Sequence, residues 1–424
     1  MKKYFIISAL LFIVTAVKAQ TAGVVSNFAS LQSRQQLRKK LIDTAIYQYL
    51  ALPPADSTEG EWNHAFWAIE LLAYKNDFIK QRLHAAWQQA DSLSEFFLKN
   101  LLEAVYSVYP EEFVHPVDNL LHTTNSARVF VRCAEYLLRA DKTNTRENEI
   151  QQLLKLKFNN SDDVAITILQ RRLNTLHDKI VLPAINDLLN KNFLKNKCVI
   201  YCFERKNRDY PGLVVIRKPD GTFAKDEKNI FFHTAQLARA VTNYPFYITN
   251  GNTPQGILRW TGFEVSKNNY IGPTLNLQLV LPYEVSPEIF FNDSTLRNTE
   301  WSTDLYTSLL PETWKYYDGM YESFFAGAMG RNAIIMHGTT IDPSYYKGQN
   351  YYPQTPSLGC LCSYEEWDKN GNRIKSNQQQ IVDELDTIEC NEGYVVVIEL
   401  DDEKKPVVLN DVVNFLNAAE ISSK

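Results

Sequence analysis

Residues 355–367 read TPSLGCLCSYEEW, with Cys360 and Cys362 one residue apart behind a Pro, a Ser and a Gly. A thiol in this setting can be a nucleophile, half of a disulfide or part of a core. The nucleophile reading needs a base, because a free thiol titrates near about 8.5 and reacts as the thiolate. His337 stands 23 positions earlier, at the end of the apolar run AIIMH, and an imidazole titrates close to working pH. Gly338 lets the chain turn beside that ring, and Gly359 lets a substrate backbone come close to Cys360. Consecutive N–H groups on such a turn can converge on one point, as an oxyanion requires. Together these residues predict a Cys–His acyl-transfer site: thiolate attack, an acyl-enzyme, then release to a second nucleophile.

The remaining ligand-type residues carry less. Cys362 shares a face with Cys360 only in extended chain and reads as a core or disulfide residue, Cys390 being the preferred partner if a bridge exists. A Cys360–Cys362 bridge would close a strained ring, and Cys198 and Cys202, about 13 Å apart along one strand, are too distant to pair. His64, His84, His115, His122 and His177 are scattered and read as surface or hydrogen-bonded histidines, and His233 as a helix-start residue. Neither a metal nor an organic cofactor is called for.

The elements that must position Cys360 and His337 change rhythm along the chain. Residues 28 to about 195 have apolar residues at helical spacing, as in ASLQSRQQLRKKLIDTAIYQYLAL, WNHAFWAIELLAY, SLSEFFLKNLLEAVYSVY and SARVFVRCAEYLLRADK. Pro53-Pro54, Asn76-Asp77, Pro110, Pro116 and Asn159-Asn160-Ser161 are the expected joints. From residue 198 the runs CVIYCFE, GLVVIRK, FYIT, LNLQLVL, NAIIMHG and YVVVIEL are short and β-prone. HTAQLARAVTNY is expected as a helix between them, and VVLNDVVNFLNAAEISSK as a short closing helix. The fold class is therefore α+β: an N-terminal all-helical domain of unknown role (20–197), a β-rich catalytic domain (198–405) and a C-terminal helix or tail (406–424).

The chain opens MKKYFIISALLFIVTAVKAQ, a basic start, an apolar run and small residues before a plausible cut, which predicts a signal peptide over 1–19 and an exported chain. Removing it takes away three lysines and no acids, so the formal charge moves from −5 to −8. Such a balance gives no broad footprint for nucleic acid, and no later run is apolar enough to predict a membrane span.

His-Gly-x-Thr at 337, Ser-x-Gly-Cys at 357 and Thr-Pro-x-Gly at 253, taken in order, resemble the L,D-transpeptidase catalytic domain family. CVIYCFE…GLVVIRKPDGTFA is similar to that family's opening hairpin, and Glu392–Ile398 to its closing strand. The resemblance spans roughly residues 198–400 and leaves the helical half uncovered. It implies a β-sandwich-like domain acting on peptidoglycan stem peptides, in the periplasm or at the wall. Cys360 would attack the amide before the terminal D-amino acid, with His337 as base. The Gly338 carbonyl would orient the imidazole, and Ser357 would shape the turn. The amides of Gly359 and Cys360 are the candidate oxyanion hole. Transfer to an amine would cross-link two stems, and transfer to water would make the enzyme an L,D-carboxypeptidase. A wall-binding or scaffolding protein with a silent site is the alternative outside the enzyme class.

Two motif positions depart from the family pattern. Leu358 stands where a basic residue is usual, and Cys362 where Arg or Asn is usual. Arg259 and Trp260, just after Thr-Pro-x-Gly, and Tyr345 and Tyr346, in the loop before the cysteine, are expected to line the substrate groove. The long stretch between Gly256 and His337 is expected to add a lid or groove wall, through FEVSKNNYIGP and the aromatic segment 294–322.

Overall fold

A computed structural model describes residues 23–177 and 181–423. The expected signal peptide lies outside the described residues. Eight helices fill the first part: α1 (Leu31–Lys40, continuing with wider winding to Gln48), α2 (Glu59–Leu72), α3 (Asp77–Trp87), α4 (Glu95–Val108), α5 (Val114–Thr123), α6 (Ala127–Ala140), α7 (Arg146–Phe158) and α8 (Val164–Thr175). Polar caps start several of them. Asn76 accepts from the Ile79 N–H at 2.9 Å, Ser94 from Phe97 at 2.9 Å, and Asp163 from Ala165 at 2.8 Å, which satisfies otherwise orphaned first-turn amides. Pro116 is not a joint: it sits in the first turn of α5, where its missing N–H costs nothing. Among the described residues no helix is long and apolar enough to cross a membrane.

After the short helix α9 (Ile185–Leu189) come β1 (Cys198–Arg205), β2 (Gly212–Arg217), β3 (Thr234–Gln236), β4 (Gly256–Glu264), β5 (Asn276–Val280), β6 (Ile335–His337) and β7 (Leu361–Cys362). They are followed by β8 (Glu365–Trp367), β9 (Arg373–Ser376) and β10 (Gly393–Asp401). Eight strands form one mixed sheet in the order β3-β2-β1-β10-β4-β5-β6-β7, and β8 and β9 form a separate hairpin, where a sandwich of two facing sheets was expected. The molecule is α+β. Strand β1 is buried along its whole length, so it reads as a continuous apolar run. Its alternate residues feed two cores. Val199, Tyr201 and Phe203 pack on one face with Trp314 and the closing helix α14 (Leu409–Ser423). Ile200 and Cys202 pack on the other with α13 (Asn377–Thr387).

Two expected elements are different. FYIT (246–249) is β-prone but forms a turn, because its side chains are drawn into the core of the helices. Tyr244 stacks on Tyr106 with centroids 3.9 Å apart, and the Tyr247 hydroxyl donates to Glu135 at 2.7 Å. HTAQLARAVTNY (233–244) is extended rather than helical. Its first part is β3, which pairs with β2. Beyond it, Leu237 exchanges both backbone hydrogen bonds with Cys362 at 2.9 Å, and the Val241 N–H donates to the Ser357 carbonyl at 2.8 Å. Pairing with the cysteine-bearing turn overrides the helical propensity of its alanines and leucines.

Candidate active site

β6 and β7 run parallel at one edge of the sheet, with Met336 opposite Leu361 and His337 opposite Cys362. Cys360 precedes β7 and comes level with Ile335, whose N–H points at its sulfur at 3.5 Å. His337 is two residues on from Ile335 along the same short strand, so the two share a face. His337, Cys360 and Cys362 line one cavity of about 720 Å³. The sheet edge thus brings together the cysteine and histidine that the sequence pairs across 23 positions.

The turn ahead of Cys360 is held from several sides. The Ser357 hydroxyl accepts from the Gly359 N–H at 3.1 Å and donates to the Cys360 carbonyl at 2.9 Å, the turn-shaping role expected of it. Gly359 has φ of 110°, a region open to glycine, and a Cβ there would collide with the Arg331 guanidinium and the Gly251 carbonyl. Thr253 of the Thr-Pro-x-Gly step donates to the Gly359 carbonyl at 3.0 Å. The Gly359 N–H is committed to Ser357, which leaves the Cys360 N–H as the remaining oxyanion donor of the expected pair.

His337 is 5 % exposed, and its Nδ1 lies 2.5 Å from the Gly338 carbonyl, as the resemblance implied. With Nδ1–H donating there, Nε2 is the nitrogen that carries the lone pair. Gly338 is required by packing as well. A Cβ at this position would strike the Glu365 carboxylate, which is buried under hydrogen bonds from Thr274 at 2.5 Å, Ser376 at 2.6 Å and the Thr339 N–H at 3.1 Å. Burial lowers His337 to about 4. Burial also pushes the Cys360 thiol up, against the Ile335 N–H and the Arg331 charge. The resting pair is therefore neutral thiol and neutral imidazole, not the ionised sulfur that sequence reasoning starts from. Such a pair works by proton transfer to the imidazole as the sulfur attacks.

Arg331 carries no motif and escaped sequence reasoning. Its guanidinium donates to the carbonyls of Asn252 and Gly251, each at 2.9 Å, and to that of Phe246. It thereby ties Phe246 to the residues just ahead of Thr-Pro-x-Gly and sets a positive charge near Cys360. Burial lowers it to about 10, against attraction from Cys360. A cation beside a thiol favours its ionised form, an effect that Cys362, two residues after Cys360, cannot supply.

Other expectations are corrected. Arg259 and Trp260 do not line the cavity. β4 lies between β10 and β5, so both are buried: Arg259 pairs with Glu392 at 2.5 Å, and Trp260 sits in the core with its Nε1 on the Gly262 carbonyl at 2.9 Å. Tyr345 and Tyr346 also stay outside the cavity lining. The Tyr346 hydroxyl donates to the Leu71 carbonyl at 2.8 Å and ties the His–Cys loop to α2, while Tyr345 packs against the helical core. Of the long stretch before His337, Asn268, Tyr270 and Ile271 do wall the cavity, but the segment 294–322 packs beneath the sheet through Tyr306 and Trp314. The preferred Cys362–Cys390 pair does not form. All six cysteines are free, Cys362 sits by Thr355, and Cys390, just before β10, meets Cys198 thiol to thiol across the β1 pairing.

Among the described residues one trio, Asp118, His122 and Glu149, brings ligand atoms within 4.8 Å of one another. Arg146 already bridges Asp118 at 3.0 Å and Glu149 at 2.7 Å, supplying the charge that a cation would. The helical half reaches the cavity elsewhere, through Trp67, Glu70 and Leu71 on one face of α2. No family model matches the chain, and neither a curated protein nor a solved structure does.

Proposed function

We propose that this chain is an exported thiol acyltransferase of the L,D-transpeptidase type, acting on peptidoglycan stem peptides. The observation that carries the reading is the opening of Cys360 and His337 onto one cavity, with the imidazole held by the Gly338 carbonyl and the cysteine turn held by Ser357. Cys360 attacks the stem amide while His337 takes the thiol proton, then returns it to the departing D-amino acid. The Cys360 N–H and the Arg331 charge face the developing negative charge. The thioester passes its acyl group to a second nucleophile and restores the thiol. The order of the strands supports the family resemblance: a β1–β2 hairpin opens the region, β4 follows Thr-Pro-x-Gly, and β10 closes it beside β1.

The test is to incubate the full chain with purified tetrapeptide muropeptides and separate the products by mass. Cross-linked dimers are expected, together with released D-amino acid. Tripeptide monomers alone would mean hydrolysis, the carboxypeptidase outcome. Unchanged substrate, with no adduct on Cys360, would overturn the reading and leave a wall-binding role.

A further inference from the structure

Facing the sheet edge across the cavity is a carboxylate with no partner. Glu70 lies within the apolar run AIELLAY of α2 and is 7 % exposed. Its side chain lines the same cavity as Cys360 and His337. No described residue donates a hydrogen bond to its carboxylate or pairs with it. The neighbouring acid Glu103 is different. It is held by Arg132 at 3.5 Å and by the Asn250 amide at 3.3 Å. Arg331, the cation lining the cavity from the sheet side, is committed to three backbone carbonyls.

A buried carboxylate without a counter-charge is costly, and the cost is removed when a cation enters the site. We infer that Glu70, presented by α2 with Trp67 and Leu71, is the counter-ion of an acceptor subsite for a primary ammonium group on an aliphatic side chain. This rests on the acyl-transfer reading above and deepens it by assigning the second nucleophile to the amine class: the ammonium gives one proton to the Glu70 carboxylate, the freed amine attacks the Cys360 thioester, and the proton that the new amide nitrogen sheds passes by way of His337 to the departing thiolate. Trp67 supports such a ligand. Its ring packs edge-on against Tyr270 at 5.5 Å, and both rings line the cavity, giving an aromatic wall for a methylene chain. The electrostatics agree: burial and the nearby Glu103 push the Glu70 carboxyl well above the ordinary range, and an ammonium beside it would restore the ionised form. The helical half thereby acquires a role as the acceptor wall of a two-walled cleft.

The probe is Nα-acetyl-lysine amide, which has one free primary amine, against its doubly acetylated counterpart. Calorimetry on the full chain at neutral pH should show saturable binding of the first, at least tenfold tighter than the second. Glu70→Gln should erase that preference, with its melting curve recorded to show that it is folded. Carbodiimide coupling of the probe to unmodified protein, followed by peptide mapping, reads the contact without any substitution: the new amide should fall on Glu70 and be suppressed by excess Nα-acetyl-Nε,Nε-dimethyl-lysine amide, which carries the charge but cannot form an amide. Equal binding of the two probes, an unchanged preference in Glu70→Gln, or coupling confined to surface acids would overturn the inference. Acylation of Cys360 by a tetrapeptide donor is measured in parallel. Acylation without amine selectivity removes the subsite and leaves the acyl-transfer reading. Amine binding at Glu70 without acylation does the reverse.

Discussion

The two walls of the cavity are built in opposite ways. On the sheet side, the groups around Cys360 and His337 are bonded in nearly every direction: backbone pairing to Leu237 and Val241, the Ser357 hydroxyl, the Arg331 fork and the Glu365 carboxylate under Gly338. On the helix side, Trp67 and Leu71 are held by apolar packing, and Glu70 is left unpaired. The difference teaches that the Cys–His wall is fixed by directional bonds, whereas the opposing wall is fixed mainly by burial, with one hydrogen bond from Tyr346 to the Leu71 carbonyl. Damage to the first should register as lost catalysis or broken turns, and damage to the second as altered ligand preference.

The largest effect expected is from Cys360→Ala, which removes the proposed nucleophile. Mass spectrometry of protein treated with a carbapenem should show the adduct on the native chain and none on the variant, and turnover should fall by about 10³-fold or more. An adduct of unchanged yield would show that another residue is acylated. His337→Gln comes next, with a loss of about 10²–10⁴-fold in turnover if the imidazole is the proton acceptor.

Arg331→Met sharpens the contrast, because it deletes the fork that joins two segments and orphans buried carbonyls. A cost of about 3 kcal/mol is expected in denaturant melts, together with slower acylation of Cys360. The smallest effect should come from Tyr346→Phe, which removes one hydrogen bond between the loop and the Leu71 carbonyl, worth about 1 kcal/mol. If Tyr346→Phe proved the more damaging of the two, the division into a bonded wall and a packed wall would be wrong.

The pH dependence has a defined sign. His337 titrates near 4 in the folded chain, against 6.5 for an unburied imidazole. Between these values the unfolded chain binds the proton and the folded chain does not. Its contribution therefore lowers stability as pH falls from about 6.5 towards 4, and adds no slope above that window. His337→Gln should flatten this part of the stability–pH curve. A curve that keeps its slope would place the titration elsewhere.

How much was legible in the sequence varied with the physics. Strands β1, β2 and the first part of β10 were readable because both faces are buried, which leaves continuous runs rich in β-branched residues. The pairing of Cys360 with His337 was readable from residue types and glycines. HTAQLARAVTNY was misread because its period fits a helix and its partner, the cysteine turn, lies more than a hundred residues away. Tyr345, Tyr346, Arg259 and Trp260 were misplaced because nothing local tells an aromatic or cationic residue which side of a strand or loop will be covered. Arg331 had no signal at all. Glu70 had a faint one, an acid inside an apolar helical run beside Trp67.

The placement of β10 has a consequence for how the chain matures. This late segment, residues 393–401, is inserted between β1 and β4 in the middle of the sheet, parallel to the former and antiparallel to the latter. Until it arrives, two inner ladders stand open, and the nearly two hundred residues separating it from β1 must already have emerged. Assembly of the sheet thus waits until residue 401 has emerged, which delays closure of the cleft.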